Sequence, residues 1–129
     1  ITITNDSNGK PSMITFAHSG IYNIRFSSQI YYSGGGGNGN LVDIWLRYNG
    51  VDVDNSDTEL STASSDPYKV AAWNFIVSAN AGDKYQLYWA SQNTHITMPY
   101  LPSMVKTGTG TVTRPGVPSI ILTVNQVAS

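Results

Sequence analysis

Acidic side chains gather in one short stretch, from Asp52 to Glu59, and oxygen ligands at that density could hold Ca²⁺. The helix-loop-helix calcium pattern needs glycine at its sixth position, which in this stretch is Asp57. If the stretch begins as a strand, Asp52 and Asp54 share one face and the rest falls in a loop. Because charge on an exposed strand opposes edge-to-edge pairing, the pattern favours a solvated strand edge. We therefore expect neither a metal nor another cofactor.

Side chains that could carry out catalysis are sparse and scattered. His18 and His95 are far apart in the chain, and neither stands in a metal-ligand spacing. There is no cysteine to act as a thiolate nucleophile, and no strand-turn-helix serine motif. Glu59 is the only glutamate, so a pair of catalytic carboxylates would need an aspartate whose position the sequence does not give. We expect a protein that is not an enzyme.

Composition limits the partners. Seven basic and eight acidic residues give a net charge of −1, without the basic cluster typical of a nucleic-acid binder. No apolar run approaches the ~20 residues of a membrane span, so we expect no membrane insertion. Polar positions are mostly Ser, Thr, Asn, Gly and Tyr, which is typical of extracellular or virion surfaces. The length suits one domain, residues 1–129. The start at Ile1 is compatible with processing, or with the ordered part or C-terminal domain of a longer chain.

The stretch from Leu41 to Val53 predicts a hairpin. Side chains alternate between two faces for eight residues, and Asn49-Gly50 then supplies the φ > 0 pair that a tight primed turn requires. The core face consists of Val42, Ile44, Leu46 and Tyr48. The other face consists of Leu41, Asp43, Trp45 and Arg47. A Trp on that second face would leave a large apolar area wet, so the face is predicted to meet another sheet, another chain or a ligand.

Period-two alternation recurs along the rest of the chain, and no helical period persists. The longest pattern, Ile21 to Tyr32, predicts a strand with its even-numbered side chains in the core. Tyr68 to Ala79 and Lys84 to Ser91 also predict strands. Ser119 to Val127 is apolar on both sides, which predicts a strand in the middle of the protein. About eight to ten strands separated by turn residues indicate an all-β antiparallel sandwich or barrel.

One loop could contact a ligand. The run from Ser33 to Asn40 contains no side chain larger than Asn, so it is either an adaptable binding loop or a tolerated insertion. The residues that could contact a ligand are Gly35, Gly36, Asn38 and Tyr100. Exposed aromatic side chains could stack on sugar rings, although most aromatic residues are buried in a core or on a sheet face. The aromatic residues concerned are Tyr31, Tyr32, Trp89 and Tyr100.

Four stretches, in this order, carry a family resemblance. They are a G-x-Y-x-x-x-F strand at Gly20–Phe26, an L-x-x-N-G-x-x-V hairpin at Leu46–Val53, a turn-G-D-x-aromatic-x-L entry at Ala81–Leu87, and a final apolar strand at Pro118–Val124. Together they resemble the jelly-roll domains of the tumour necrosis factor and complement globular-head superfamily. The runs Asp-Ile-Trp-Leu-Arg, Ala-Ala-Trp-Asn-Phe and Pro-Ser-Ile-Ile-Leu-Thr-Val are similar to a version found in bacteriophage and other viral structural proteins.

The resemblance implies a ten-strand antiparallel jelly-roll sandwich that assembles as a homotrimer, with one inner sheet facing the threefold axis. Carried over to this chain, the inner sheet would contain Ile1–Thr4, Leu41–Tyr48, Lys84–Ser91 and Ser119–Val127. The implied trimer interface consists of Asp43, Trp45, Arg47, Tyr88, Ile121 and Thr123. Within it, Asp43 and Arg47 could form an ion pair.

Three functions follow as hypotheses. The first is a non-enzymatic virion structural protein, a trimeric jelly roll that decorates a capsid or forms the head of a fibre and contacts other virion proteins. The second is a receptor-binding tip whose loops recognise a host glycan or protein. The third, a secreted signalling or complement-type ligand, is disfavoured by the missing cysteines and by the similarity to viral sequences.

Overall fold

The computed structural model describes residues 1–35 and 40–129, which form twelve strands and no helix. The resemblance implies ten strands. The bounds are β1 Thr2–Asn5, β2 Pro11–Thr15, β3 Gly20–Tyr32, β4 Leu41–Tyr48, β5 Val51–Asp52, β6 Thr58–Ser61, β7 Tyr68–Ala79, β8 Lys84–Ser91, β9 Ile96–Thr97, β10 Met104–Lys106, β11 Val112–Arg114 and β12 Ile120–Ala128. In the described part of the chain every strand pair is antiparallel, so the all-β antiparallel prediction is confirmed.

The strands form two larger sheets and a small ribbon. The six-stranded sheet has the order β1-β2-β8-β4-β5, and β6 also pairs with β4. The four-stranded sheet has the order β12-β3-β7, and β9 also pairs with β3. The ribbon consists of β10 and β11.

The core lies between the two larger sheets and contains the side chains that alternation assigned to it. Val42, Ile44 and Leu46 of β4 are at most 1% exposed, which confirms the predicted core face of the hairpin. From β3, the buried side chains are Tyr22, Ile24, Phe26, Ser28, Ile30 and Tyr32. The aromatic rings of Phe16 and Tyr22 pack with their centroids 4.3 Å apart. The two sheets are therefore held together by one face of each.

The predicted place of the last strand is wrong. β12 does not join β1, β4 and β8 in the six-stranded sheet, but pairs with β3 at the edge of the four-stranded sheet. Ile121 and Val127 are 56% and 55% exposed, so the strand is not buried on both faces. A strand that is apolar on both sides has no polar face to show which side points outward. Its sequence therefore does not determine which sheet it joins.

The hairpin turn between β4 and β5 has the predicted geometry. Asn49 and Gly50 adopt φ values of 47° and 85°, and the ladder resumes with Tyr48 opposite Val51. The carboxylate of Asp83 fixes the turn from outside, because it accepts hydrogen bonds from Asn49 Nδ2 at 3.0 Å and from Tyr48 Oη at 2.7 Å. The φ > 0 prediction is confirmed.

Gly50→Val is expected to lower the free energy of unfolding by about 1–2 kcal/mol, since a side chain in the left-handed region brings Cβ close to the following carbonyl oxygen. The space around Gly50 is open, so the cost is conformational and not a clash. Gly108→Val is the matched control: its surroundings are equally open, but its φ is not positive. Urea unfolding of both variants measures the difference, and equal stabilities would contradict the strained turn.

Candidate functional site

The outer face of the six-stranded sheet carries an organised group of side chains that are at least partly exposed. Strand alternation turns Trp45 and Arg47 of β4 and Tyr88 of β8 away from the core, and the ladder sets Trp45 directly opposite Tyr88. On the other side of β4, the hairpin sets Asp52 directly opposite Arg47. We call these four residues the Trp45 cluster.

One carboxylate orients the whole cluster. Asp52 Oδ1 accepts a hydrogen bond from Trp45 Nε1 at 2.8 Å and another from Arg47 Nε at 2.8 Å. Arg47 Cζ lies 3.9 Å from the centre of the Tyr88 ring, a cation–π distance. The rings of Trp45 and Tyr88 are 6.0 Å apart at 37°. The indole N–H of Trp45 and the Nε–H of Arg47 therefore both have a partner within the same chain.

The electrostatics of the cluster agree with this geometry. The hydrogen bond from Arg47, followed by that from Trp45, lowers the pKa of Asp52, and the bond to Asp52 raises the pKa of Arg47. Arg47 and Asp52 therefore remain charged and paired at neutral pH, with no net charge between them. A surface of this kind can be covered by a partner without leaving an unpaired charge, which is the main penalty in burying ions.

Asp52 was missed as a member of this group, because the sequence suggested only a solvated acidic edge. The signal was present: a two-residue turn at Asn49-Gly50 pairs Tyr48 with Val51 and then Arg47 with Asp52. Opposite charges directly across a ladder attract each other. The possible pair of Arg47 with Asp43 is not what the structure shows, since the described salt bridge of Arg47 is to Asp52.

Asp43 lies instead among negative charges. It stands opposite Glu59 on the neighbouring β6 and is half-buried. Burial raises the pKa of Asp43, and the negative charges of Asp57 and Glu59 raise it further. The carboxylate is therefore harder to ionise in the folded protein than in the unfolded chain, and its ionisation weakens the fold at neutral pH.

Asp43→Asn is expected to stabilise the protein at neutral pH by about 0.2–1 kcal/mol, the usual scale for like charges directly opposite in a ladder. The gain should shrink as the pH falls through the raised pKa of Asp43 towards its ordinary value, because the wild-type side chain then becomes neutral as well. Urea unfolding across the acidic range measures this. Asp54→Asn, in the exposed turn after β5, is the control, and a pH-independent gain for Asp43→Asn would contradict the explanation.

The structure divides the predicted interface residues between two faces. Asp43, Trp45, Arg47 and Tyr88 share the outer face of the six-stranded sheet. Ile121 and Thr123 lie on β12 in the four-stranded sheet, opposite Ser27 and Arg25 of β3. A single flat interface through one sheet cannot contain all six, and the assignment of the last two to the same face as Trp45 is wrong.

The predicted ligand residues fall in separate places. Gly35 accepts a hydrogen bond from Tyr32 Oη at 3.3 Å and lies beside the ring of His95. Tyr100 is 67% exposed and lies beside Gly116. Gly36 and Asn38 lie outside the described residues. Gly35 and Tyr100 thus have different described neighbours.

Among residues 1–35 and 40–129 the structure shows neither a cluster of metal ligands nor a membrane-spanning helix. No group of three or more His, Asp or Glu side chains comes together there as possible metal ligands. No described helix is long and apolar enough to cross a membrane. Comparison with known proteins found no family model that matches the chain and no curated protein that is similar to it.

Proposed function

We propose that this chain is a non-enzymatic virion structural protein, a jelly-roll homotrimer that packs the Trp45 cluster of each subunit towards the threefold axis. The observation that carries the proposal is the cluster itself, in which Asp52 holds Trp45 and Arg47 at 2.8 Å each. Trp, Tyr and Arg are the residue types that dominate binding energy at interfaces. Fixing them before association reduces the entropy that assembly costs.

The arrangement of the sheets supports the same orientation. Three of the four strands that the resemblance assigns to the inner sheet, β1, β4 and β8, belong to the six-stranded sheet. Over β4 the inner face of this sheet is filled by the chain's own core, so at that strand a partner can reach only the face that carries Trp45. An obligate interface typically buries more than about 2,000 Å² in total, so we expect the trimer contact to extend beyond the Trp45 cluster across the outer face of the sheet.

The assignment to a virion rests on the resemblance of short sequence motifs to bacteriophage and viral structural proteins. We propose that the trimer lies on the capsid surface or at a fibre head, beside other virion proteins. The direct experiment is immunogold labelling. An antibody raised against the chain should decorate intact particles released by cells that encode it. Labelling confined to the cells or to the particle-free medium would overturn the proposal.

A receptor-binding tip is the second candidate, and one observation favours it. Tyr31 and Tyr68 stack on the outer face of the four-stranded sheet with ring centroids 4.7 Å apart and planes 26° apart, and Tyr68 is 62% exposed. Exposed aromatic faces can stack on sugar rings. Binding to a glycan array that Tyr68→Ala abolishes would favour the tip over a purely structural protein.

A further inference from the structure

The two sheets of the sandwich do not match in width at one edge. The six-stranded sheet continues past β8 through β2 to β1, whereas the four-stranded sheet ends at β12. Core-facing side chains of β1 are therefore left without a cover, and Ile1 and Ile3 are 53% and 50% exposed. The result is a cleft of about 740 Å³ between β1, β2 and β8 on one side and β12 on the other.

The side chains that line the cleft are mostly apolar, and none of them is charged. Its lining includes Ile1, Ile3, Leu87, Trp89, Ile120 and Leu122, and none of the residues that line it has a charged side chain. An occupant with charged groups would lose hydration there and gain no opposite charge in return. The charge pattern therefore selects an uncharged, apolar occupant.

The free edge of β12 adds unpaired backbone hydrogen-bonding groups to this apolar cleft. Gln29 N donates to Ser119 O at 2.8 Å, and the ladder continues with Ile121 opposite Ser27. Odd-numbered residues of β12 thus direct their backbone groups to β3, and alternation directs those of Ile120, Leu122 and Val124 to the open edge. Among the described residues no strand pairs with that edge. The same three side chains line the cleft.

We propose that this cleft is an acceptor site for a β-strand from another polypeptide, an extended uncharged segment with apolar side chains at alternate positions. The strand hydrogen-bonds to the free edge of β12 and extends the four-stranded sheet. Its inward side chains cover Ile1 and Ile3. An acyl chain would fill the cleft equally well but would leave the backbone groups of β12 unpaired, so a peptide is the better match.

From Ile120 to Val124, β12 carries none of the features that normally protect a sheet edge. From Ile120 to Val124 there is no proline and no charged residue, and the described irregularity of the ladder comes only after Gln126. A long apolar edge with no protection readily pairs with another strand. The site lies on the core side of the sheets, away from the Trp45 cluster, so the proposal does not depend on the trimer.

The test uses a capped ten-residue peptide in which Val alternates with Ser, with Lys at both ends for solubility. Amide hydrogen exchange should show slower exchange at Leu122 and Val124 when the peptide binds, with no change at Ile121 and Thr123, whose backbone groups already face β3. The same peptide with N-methyl groups on the bonding amides should bind at least about tenfold more weakly, because the lost hydrogen bonds are worth about 0.5–1.5 kcal/mol each.

A pair of adjacent substitutions provides the matched control. Ile120→Asp places a charge in the cleft and should reduce peptide binding at least about tenfold, whereas Ile121→Asp places the same charge on the opposite face of β12 and should leave binding unchanged. Circular dichroism confirms that both variants fold.

Four results would overturn the proposal. The first is no peptide binding at millimolar concentration, and the second is equal binding of the N-methylated peptide. The third is protection of Leu122 and Val124 in the free protein that rises with its concentration, which would mean that a second copy occupies the edge. Tetradecanoic acid serves as the competing probe, and protection of the cleft by it alone would also count against a strand.

Discussion

Trp45→Glu is expected to convert the proposed trimer into monomers at micromolar concentration. The substitution removes the indole ring that packs beside Tyr88 and the hydrogen bond from Nε1 to Asp52. It also brings a second carboxylate next to Asp52, in an interface that excludes water. Truncation of a central interface residue costs about 2 kcal/mol or more, and an unpaired buried charge adds several more. Light scattering measures the mass, and circular dichroism tests whether the separated chain keeps its β structure.

Trp73→Glu is the matched control for this result. Trp73 is a half-exposed tryptophan, 54% accessible, and it lies on β7 at the edge of the four-stranded sheet. The same substitution there should leave the trimer intact. If the Trp45→Glu protein remained trimeric, or if the Trp73→Glu protein dissociated, the interface would not lie on the outer face of the six-stranded sheet as proposed.

Ile44→Ala is expected to lower the free energy of unfolding by about 2–5 kcal/mol, the usual cost of removing a large aliphatic side chain from a packed core. Ile44 is adjacent to Trp45 but points to the opposite face, and it is 0% exposed within its own subunit. Urea unfolding at one fixed protein concentration measures the loss, since the stability of an oligomer depends on concentration.

Ile76→Ala is the control for the core substitution. Ile76 is 61% exposed on the outer face of the four-stranded sheet, so its truncation should change stability by no more than about 0.5 kcal/mol. If Ile44→Ala instead separated the subunits without unfolding them, the two faces of β4 would be reversed.

Much of the fold could be predicted because alternation was strict where it mattered. In β3 and β4 one set of side chains is apolar and the other is polar or mixed, so a single register satisfies both faces and a slip of one residue would bury the wrong set. The turn was equally determined, because only Asn49-Gly50 supplies two residues that tolerate φ > 0 at that point.

Prediction was poorer where a strand had no distinct faces or lay at an edge. β12 is apolar on both sides, and its sequence is equally compatible with the middle of either sheet. Trp73 follows the core face of β7 by alternation, yet β7 pairs only with β3, so the ring reaches the rim and is half exposed. Strand order is decided by contacts between distant parts of the chain, which local patterns do not contain.

Only part of the candidate site could be predicted, because some of its residues are brought together by strand register and sheet order, which local patterns do not contain. Trp45 and Arg47 were identified because a large apolar side chain on a second face needs a partner, whereas Tyr88 was assigned through the resemblance. The role of Asp52 required the register of the hairpin, which sets it opposite Arg47. Ile121 and Thr123 were assigned through the resemblance, and that assignment failed with the placement of β12.

Sedimentation equilibrium of the unmodified chain tests the central claim most directly. We predict a single species of about three times the 13.9 kDa chain mass across the micromolar range. A species of one chain mass at those concentrations would contradict the proposal that the Trp45 cluster closes a trimer.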